Sequence, residues 1–288
     1  MRWLLLGTMA AWGANLAVVK LLFETFEPTL LAALRMGVSA VVLVAVARWR
    51  GLAWPRLQRR QWGLLVACAA VMIYLNQIFF TEGVSRTAAA NAALIIALNP
   101  LVSALTAAVL LGDRLTPARI AGIVLGFSGV AAVVLHRPGA ALGGGGLGDL
   151  LCLGSVVTWV LGGVMVQRLS RDIDSGLLSA LLAVVGTTLL ALHLGLRPGP
   201  VVVHWPRVTV GTVLLLVVSS LLATAVGALV WNRALVVLGV ARTALYAYWV
   251  PIFGVLFAVL LLGEPLTVWH GVGLAAVLGG TWLGTRSH

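Results

Sequence analysis

Apolar stretches of roughly twenty residues follow one another along this chain with little between them, and that pattern restricts the solvent in which it can fold. At 1.5 Å of rise per residue each stretch crosses a ~30 Å hydrocarbon core, where backbone N–H and C=O groups must be satisfied inside the segment itself. Helices meet that requirement, and they are predicted at 3–22, 29–47, 61–81, 88–111, 116–135, 147–168, 175–195, 209–232, 240–262 and 267–285. The fold class is an all-α integral membrane protein with ten transmembrane helices. The longest polar intervals, Arg48–Arg60, His136–Gly148 and Leu196–Val208, hold 13 residues each and leave no room for a soluble domain. Composition agrees: 9% of the residues are charged, against about 25% in soluble proteins.

The net charge of +11 reads as membrane orientation, because no basic run interleaves with aromatics as a nucleic-acid surface would. Alternate loops are unequal. On the side of the N-terminus stand 13 Lys and Arg, with Arg48, Arg50, Arg56, Arg59 and Arg60 in one cluster, and the other side has five: Lys20, Arg86, Arg137, Arg197 and Arg207. Both termini are therefore expected in the cytoplasm and the protein in the inner (plasma) membrane. Arg2 followed by Trp3–Val19 has the form of a secretory leader, but an equivalent segment recurs at Leu150–Gln167, so the first span is expected to be retained.

That recurrence is part of a duplication. A shift of 151 residues lays Ala93-Leu94 on Ala244-Leu245, Pro100 on Pro251, Leu110-Leu111-Gly112-Asp113 on Leu261-Leu262-Gly263-Glu264, and Gly122 on Gly273. A shift of 147 lays Gly7 on Gly154, Thr8 on Ser155 and Trp12 on Trp159. The repeated unit has five helices, an odd number, so the second copy enters the membrane upside down. The expected organisation is a single membrane domain over 1–288, with repeat one at 1–138, a Gly-rich linker at 139–146 and repeat two at 147–288. Inverted repeats of this kind suit a carrier that opens to each side in turn around a site near the midplane.

Candidate site residues are the polar and aromatic groups at mid-span. Thr8, Trp12 and Asn15 share a helix face, and Ser155 and Trp159 repeat the first two. Paired tryptophans beside small polar groups can grip an apolar or aromatic side chain; the other reading is packing between helices, although Trp in membranes concentrates at the interfaces. Asn91, Asn99, Ser103 and Thr106 form a polar stripe on span four that should face protein or water. Pro100 and Pro251 lie mid-span, as bends that shape a cavity and its gating or as static kinks. Tyr246, Trp249 and Phe253, with Tyr74 and Gln77, can hold a substrate's amine or carboxylate, or serve as interhelical glue. Arg35 is the full charge well inside a span; a structural or gating role and recognition of a carboxylate both fit. Substrate-binding candidates are thus Trp12, Asn15, Tyr74, Gln77, Asn99, Trp159, Tyr246 and Trp249, with Arg35, Pro100 and Pro251 in gating or structural roles.

Other features read as structure. Asp113 and Glu264 end spans, ahead of Thr116-Pro117 and Thr267, which have the form of helix N-caps. Gly122/Gly126 and Gly280/Gly284 have the spacing that lets helices approach, inside the molecule or at a dimer face. Cys68 and Cys152 lie in apolar runs without metal-ligand spacing. No acid lies mid-span, Gly143–Gly146 lacks the Lys-Ser/Thr of a phosphate loop, and no GxSxG, HExxH or catalytic carboxylate pair is present. The expectation is no cofactor, no metal, no nucleic acid and no enzyme, with a small-molecule substrate and the lipid bilayer as partners and a monomer or homodimer as the assembly.

The paired segments Asn99-Pro100 through Leu111-Gly112-Asp113-Arg114-Leu115-Thr116 and Val250-Pro251 through Leu262-Gly263-Glu264-Pro265-Leu266-Thr267, with Trp12-Gly13-Ala14-Asn15, resemble the EamA-type repeats of the drug/metabolite transporter superfamily. The resemblance runs from Trp3 to about Leu283 and is closest to the bacterial amino-acid exporters. It implies a ten-helix secondary carrier with a central cavity, exporting amino acids or similar metabolites by alternating access. The absent mid-span acid makes uncoupled transport the fitting mode and counts against the alternative of drug or lipophilic-cation export. An intramembrane lipid-modifying enzyme is the alternative from another class.

Overall fold

The computed structural model describes residues 1–52, 57–111, 116–136, 146–238, 246, 247 and 249–286. Helix α1 covers Arg2–Leu22 and α2 Pro28–Trp49, where Pro28 supplies the fixed φ of a first turn. α3 runs over Arg59–Arg86 and starts in a box closed by Gln58 and Gln61. α4 (Ala89–Ile96), α5 (Asn99–Leu111) and α6 (Pro117–Leu135) complete the first half. α7 covers Gly146–Leu169, and α8 covers Ser175–Leu196, capped by the Asp174 carboxylate on Gly176 N–H and Leu177 N–H. α9 is built of Val210–Ser219, Ser220–Val226 and Gly227–Leu238. α10 (Trp249–Leu262) and α11 (Val268–Arg286) end the chain. The described residues contain one isolated antiparallel bridge, Phe26 to Val203, and no strand. Among the described residues six helices are long and apolar enough to cross a membrane, and shorter apolar helices occupy Ala89–Ser103, Ile120–Val133, Trp249–Leu262 and Val268–Gly280. This is the all-helical, multi-pass membrane protein that the apolar periodicity predicts.

The helices pack in a pattern that exchanges the two halves. α2 lies along α8, and α6 along α11; α1 packs on α10 as α7 packs on α4 and α5; α2 meets the middle of α9 as α8 meets the middle of α3. With α4 and α5 together standing for α10, swapping the halves in chain order returns these pairings. Small residues permit the closest crossings. A Cβ on Gly13 would stand 2.7 Å from Gly254 N, and one on Gly280 would stand 2.5 Å from Gly122 O and 2.8 Å from Gly126 N. The spacing of Gly122, Gly126 and Gly280 therefore serves the internal α6–α11 crossing.

Charged groups sort the loops to two ends. At one end Lys20 meets Glu264 at 3.4 Å, Arg197 pairs with Glu27, Arg207 with Glu24 at 3.4 Å, and Arg86 with Glu82 at 2.7 Å. At the other, Gln61 donates to Asp172 at 3.0 Å, and Gly176 beside Asp174 lies near Arg50.

Several elements differ from the sequence reading. Span four is broken at Ala97-Leu98 into α4 and α5, because Pro100 lacks the N–H that would continue a helix and is tolerated in a first turn. Pro251 likewise sits in the first turn of α10, so both prolines open helical segments. Ser103 is exposed whereas Asn91 is buried, so the expected stripe does not stay on one face across the break. α3 runs further at its C-terminal end than predicted, to Arg86. Gly146, the last residue of the expected linker, begins α7, while 139–145, Asp113 and 240–245 lie outside the described residues.

Candidate functional site

α3 and α9 each change to a π-helix at mid-length, over Ala70–Leu75 and Ser220–Val226, segments that start 150 residues apart. A π turn widens the helix and moves carbonyls away from their usual partners. In α9 the Gly227 N–H reaches back to Leu222 O and Thr224 O and passes over Ala223 O. Trp12 of α1 uses that carbonyl, donating Nε1–H to Ala223 O at 2.7 Å. Gly227 makes room for it, since a Cβ there would stand 2.6 Å from Trp12 Nε1. The other half repeats the contact in outline: Gly162 of α7 packs on Met72 of the α3 π segment, where a Cβ would stand 2.4 Å from Met72 Cβ.

Around Trp12 the rings converge. Trp159, its counterpart in the repeat, meets it edge to face with centroids 6.4 Å apart, and Trp231 of α9 lies 5.4 Å away at a tilt of 47°. Ring pairs at this range add about 0.5–1.5 kcal/mol each beyond burial. One turn further along α1, Asn15 Oδ1 accepts from Arg35 Nη2 at 2.8 Å, and Thr224 Oγ1 of the π segment stands 3.4 Å from the same nitrogen. Ser39 fastens α2 to that segment through Ser220 O at 3.0 Å. Arg35 is buried, at 3% exposure, and its Nε and Nη1 have no partner.

A smaller polar group sits between α3 of the first half and α7 of the second. Asn76, the residue after the α3 π segment, donates to Ser155 O at 2.7 Å and lies 3.5 Å from Thr158 Oγ1. Gln77 donates to Asn76 Oδ1 at 3.3 Å, and its own buried Oε1 has no partner. Tyr74 turns to α8 instead, its hydroxyl 2.7 Å from His193 Nδ1. Asn99 and Tyr246 are half-buried, and Trp249 is 44% exposed beside Phe253 at 5.9 Å. Of the sequence candidates, the structure thus brings Trp12, Asn15, Trp159 and Arg35 together; it puts Tyr74 against α8 and Trp249 on an exposed face.

Trp231, Thr224, Asn76 and His193 belong to these clusters and were missed by sequence reasoning. Trp231 has no tryptophan opposite it in the first repeat, and the π turn that presents Thr224 has no hydropathy signature.

At the paired-charge end, the Glu264 carboxylate accepts from Ala89 N–H at 2.8 Å and Ala90 N–H at 3.0 Å while holding Lys20. It caps α4, so three elements meet at one side chain. His270 braces the same corner, with Nδ1 2.9 Å from Thr267 Oγ1 and Nε2 3.2 Å from Asn91 Oδ1. A depression of about 340 Å³ opens over Lys20, Glu24, Ser85 and Glu264, and another of about 460 Å³ over Ala40, Val44, Arg48 and Val184. Neither touches the tryptophans, whose chemistry makes them the better candidate site: three indole rings, the Asn15 amide and a guanidinium with spare donors.

Comparison with known proteins adds the following. The model of the EamA-like transporter family matches residues 2–135 and again 146–286. An uncharacterized transporter, YyaM of Bacillus subtilis, is 26% identical over 96% of this chain and 90% of its own length. A probable terminal-alkyne amino-acid exporter of Streptantibioticus cattleyicolor is 28% identical over 96% of this chain and 91% of its own. A probable amino-acid metabolite efflux pump of Escherichia coli is 26% identical over 96% and 91%. A solved crystal structure, 22% identical, superposes with a TM-score of 0.70 over 97% of this chain and 94% of that one.

Proposed function

The chain belongs to the EamA-like transporter family, and we propose that within it this protein exports amino acids or similar small metabolites from the cell across the inner membrane. The proposed architecture is ten spans in two inverted five-helix repeats, 1–138 and 147–288, with both termini cytoplasmic. The observation that carries this reading is the exchange symmetry of the packing, in which α2–α8 and α6–α11 pair across the halves and both third spans widen to π-helix. Two near-equivalent halves can trade conformations, one open to each side, around a site between them. The tryptophan cluster at Trp12 and Trp159, with Asn15 and Arg35 beside it, joins helices of both halves, which supports a site between them. The names of the exporters from Streptantibioticus cattleyicolor and Escherichia coli support the substrate class. Asn99, Tyr246, Gln77, Tyr74 and Trp249 are proposed to line the path, and Pro100 and Pro251 to mark its bends.

The test is flux in liposomes holding the purified full chain, with labelled neutral, aromatic and anionic amino acids, with and without a pH gradient. Saturable flux that the Trp12→Ala/Trp159→Ala double variant loses at least ten-fold is the expected result. Equal flux in the folded double variant would return both rings to packing, and no flux of any compound would remove amino acids as substrates.

A further inference from the structure

Arg35 has more donors than the protein uses. Five N–H groups sit on its guanidinium fork; Nη2 meets Asn15 and Thr224, while Nε and Nη1, both buried, meet nothing. Among the described residues no carboxylate pairs with it, the ion pairs of the chain lying at segment ends. A guanidinium left unneutralised inside a bilayer is expensive, and an anion is the group that relieves it. A carboxylate also matches the planar fork in shape. The neighbours define the rest of that anion: Trp12, one turn from Asn15 on α1, carries Trp159 and Trp231 against it, which suits an aromatic or apolar body. What the cluster lacks is an acid that would take an ammonium group.

Resting on the exporter reading above, we propose that this site carries aromatic or apolar monocarboxylates in their anionic form in preference to zwitterions, and that the membrane potential alone drives their export. Arg35 supplies the countercharge and the tryptophans hold the body. A monoanion leaving a cell that is negative inside runs with the field at about 2.3 kcal/mol per elementary charge per 100 mV, a 50-fold concentration ratio at equilibrium. Such a carrier has no need of a titrating carboxylate at mid-membrane, which accounts for the position of every acid in the described spans near a segment end.

The experiment compares N-acetylphenylalanine with phenylalanine, molecules that share a ring and a carboxylate and differ in net charge. Liposomes containing the full chain are loaded with either compound, and efflux is followed at zero potential and at 100 mV, interior negative, set by potassium and valinomycin. The expected result is at least ten-fold faster efflux of N-acetylphenylalanine, accelerated by the potential and saturable, with Arg35→Gln bringing the two compounds to within two-fold and Arg35→Lys retaining a preference for the anion. Should Arg35→Gln fail to elute as a folded protein, the wild-type charge preference and voltage response decide. Phenylalanine moving as fast as the anion, or anion efflux blind to potential, overturns this proposal and leaves the exporter reading standing. Absence of flux for both, while other amino acids move, also overturns it, and absence of flux for every compound tested removes both readings.

Discussion

The α6–α11 crossing allows a sharp test of how tightly the halves are joined. Gly280 and Gly279 are adjacent in α11, yet a methyl group at each meets different surroundings: at Gly280 it would stand 2.5 Å from Gly122 O and 2.8 Å from Gly126 N, and at Gly279 its nearest neighbour is Leu125 Cδ2 at 3.8 Å. The atoms opposing Gly280 are backbone, which cannot rotate aside. Relief requires the helices to part by roughly 0.9 Å, and a gap of about 0.5–1 Å forfeits a quarter to a half of each dispersion contact it opens. Overpacking of this kind costs about 1–3 kcal/mol. Both Gly→Ala changes gain the same helix propensity, up to about 1 kcal/mol, so the difference between them isolates the crossing. At roughly 2 °C per kcal/mol for a chain of this size, Gly280→Ala should melt about 2–6 °C below Gly279→Ala when tryptophan fluorescence is followed in detergent. Equal melting temperatures for the two variants would refute the close backbone approach of α6 and α11.

Three further outcomes follow from named contacts. Glu264→Ala removes the acceptor of two α4 N–H groups and the partner of Lys20, so it should lower stability by about 1–2 kcal/mol, with Glu264→Gln milder because one oxygen is kept; melting of the purified variants checks this. Asp174→Ala uncaps α8 at Gly176 and Leu177 and should cost about 0.5–2 kcal/mol, restored in large part by Asp174→Asn in the same assay. Cys68 and Cys152 are fully buried, so N-ethylmaleimide should label the native protein at least ten-fold more slowly than the denatured one, read by mass spectrometry.

Hydropathy located the helices well because an apolar run of bilayer length has few other uses: span one, expected at 3–22, is Arg2–Leu22, and span two, expected at 29–47, is Pro28–Trp49. Local hydrogen-bond register is another matter. A π turn at Ser220–Val226 exchanges i−4 for i−5 partners without altering which residues are apolar, so the carbonyl that receives Trp12 was invisible in sequence. Repeat matching found Trp159 because it has Trp12 as its counterpart, and passed over Trp231 because identity across the halves was the signal in use. Helical spacing placed Tyr74 and Gln77 together, but the widened turn at Ala70–Leu75 lies across that spacing and the hydroxyl goes to His193. The burial of Arg35 was legible from its position inside a span; its partners, 20 and 189 residues away, were not.

The pairing of each helix with one from the other half has a consequence for synthesis. α1 leaves the ribosome long before the helix it packs on, α10, and the ion pair between Lys20 and Glu264 joins residues 244 positions apart. A nascent chain that has inserted only its first half carries interfaces with no occupant, held in the membrane by hydropathy but without the crossings that fix tilt and depth. Assembly is therefore late and concerted, as expected where contacts are distant in the chain. Severing the chain between α6 and α7 and producing both fragments in one cell should rebuild the complete molecule, while either fragment produced alone should be cleared by membrane proteases.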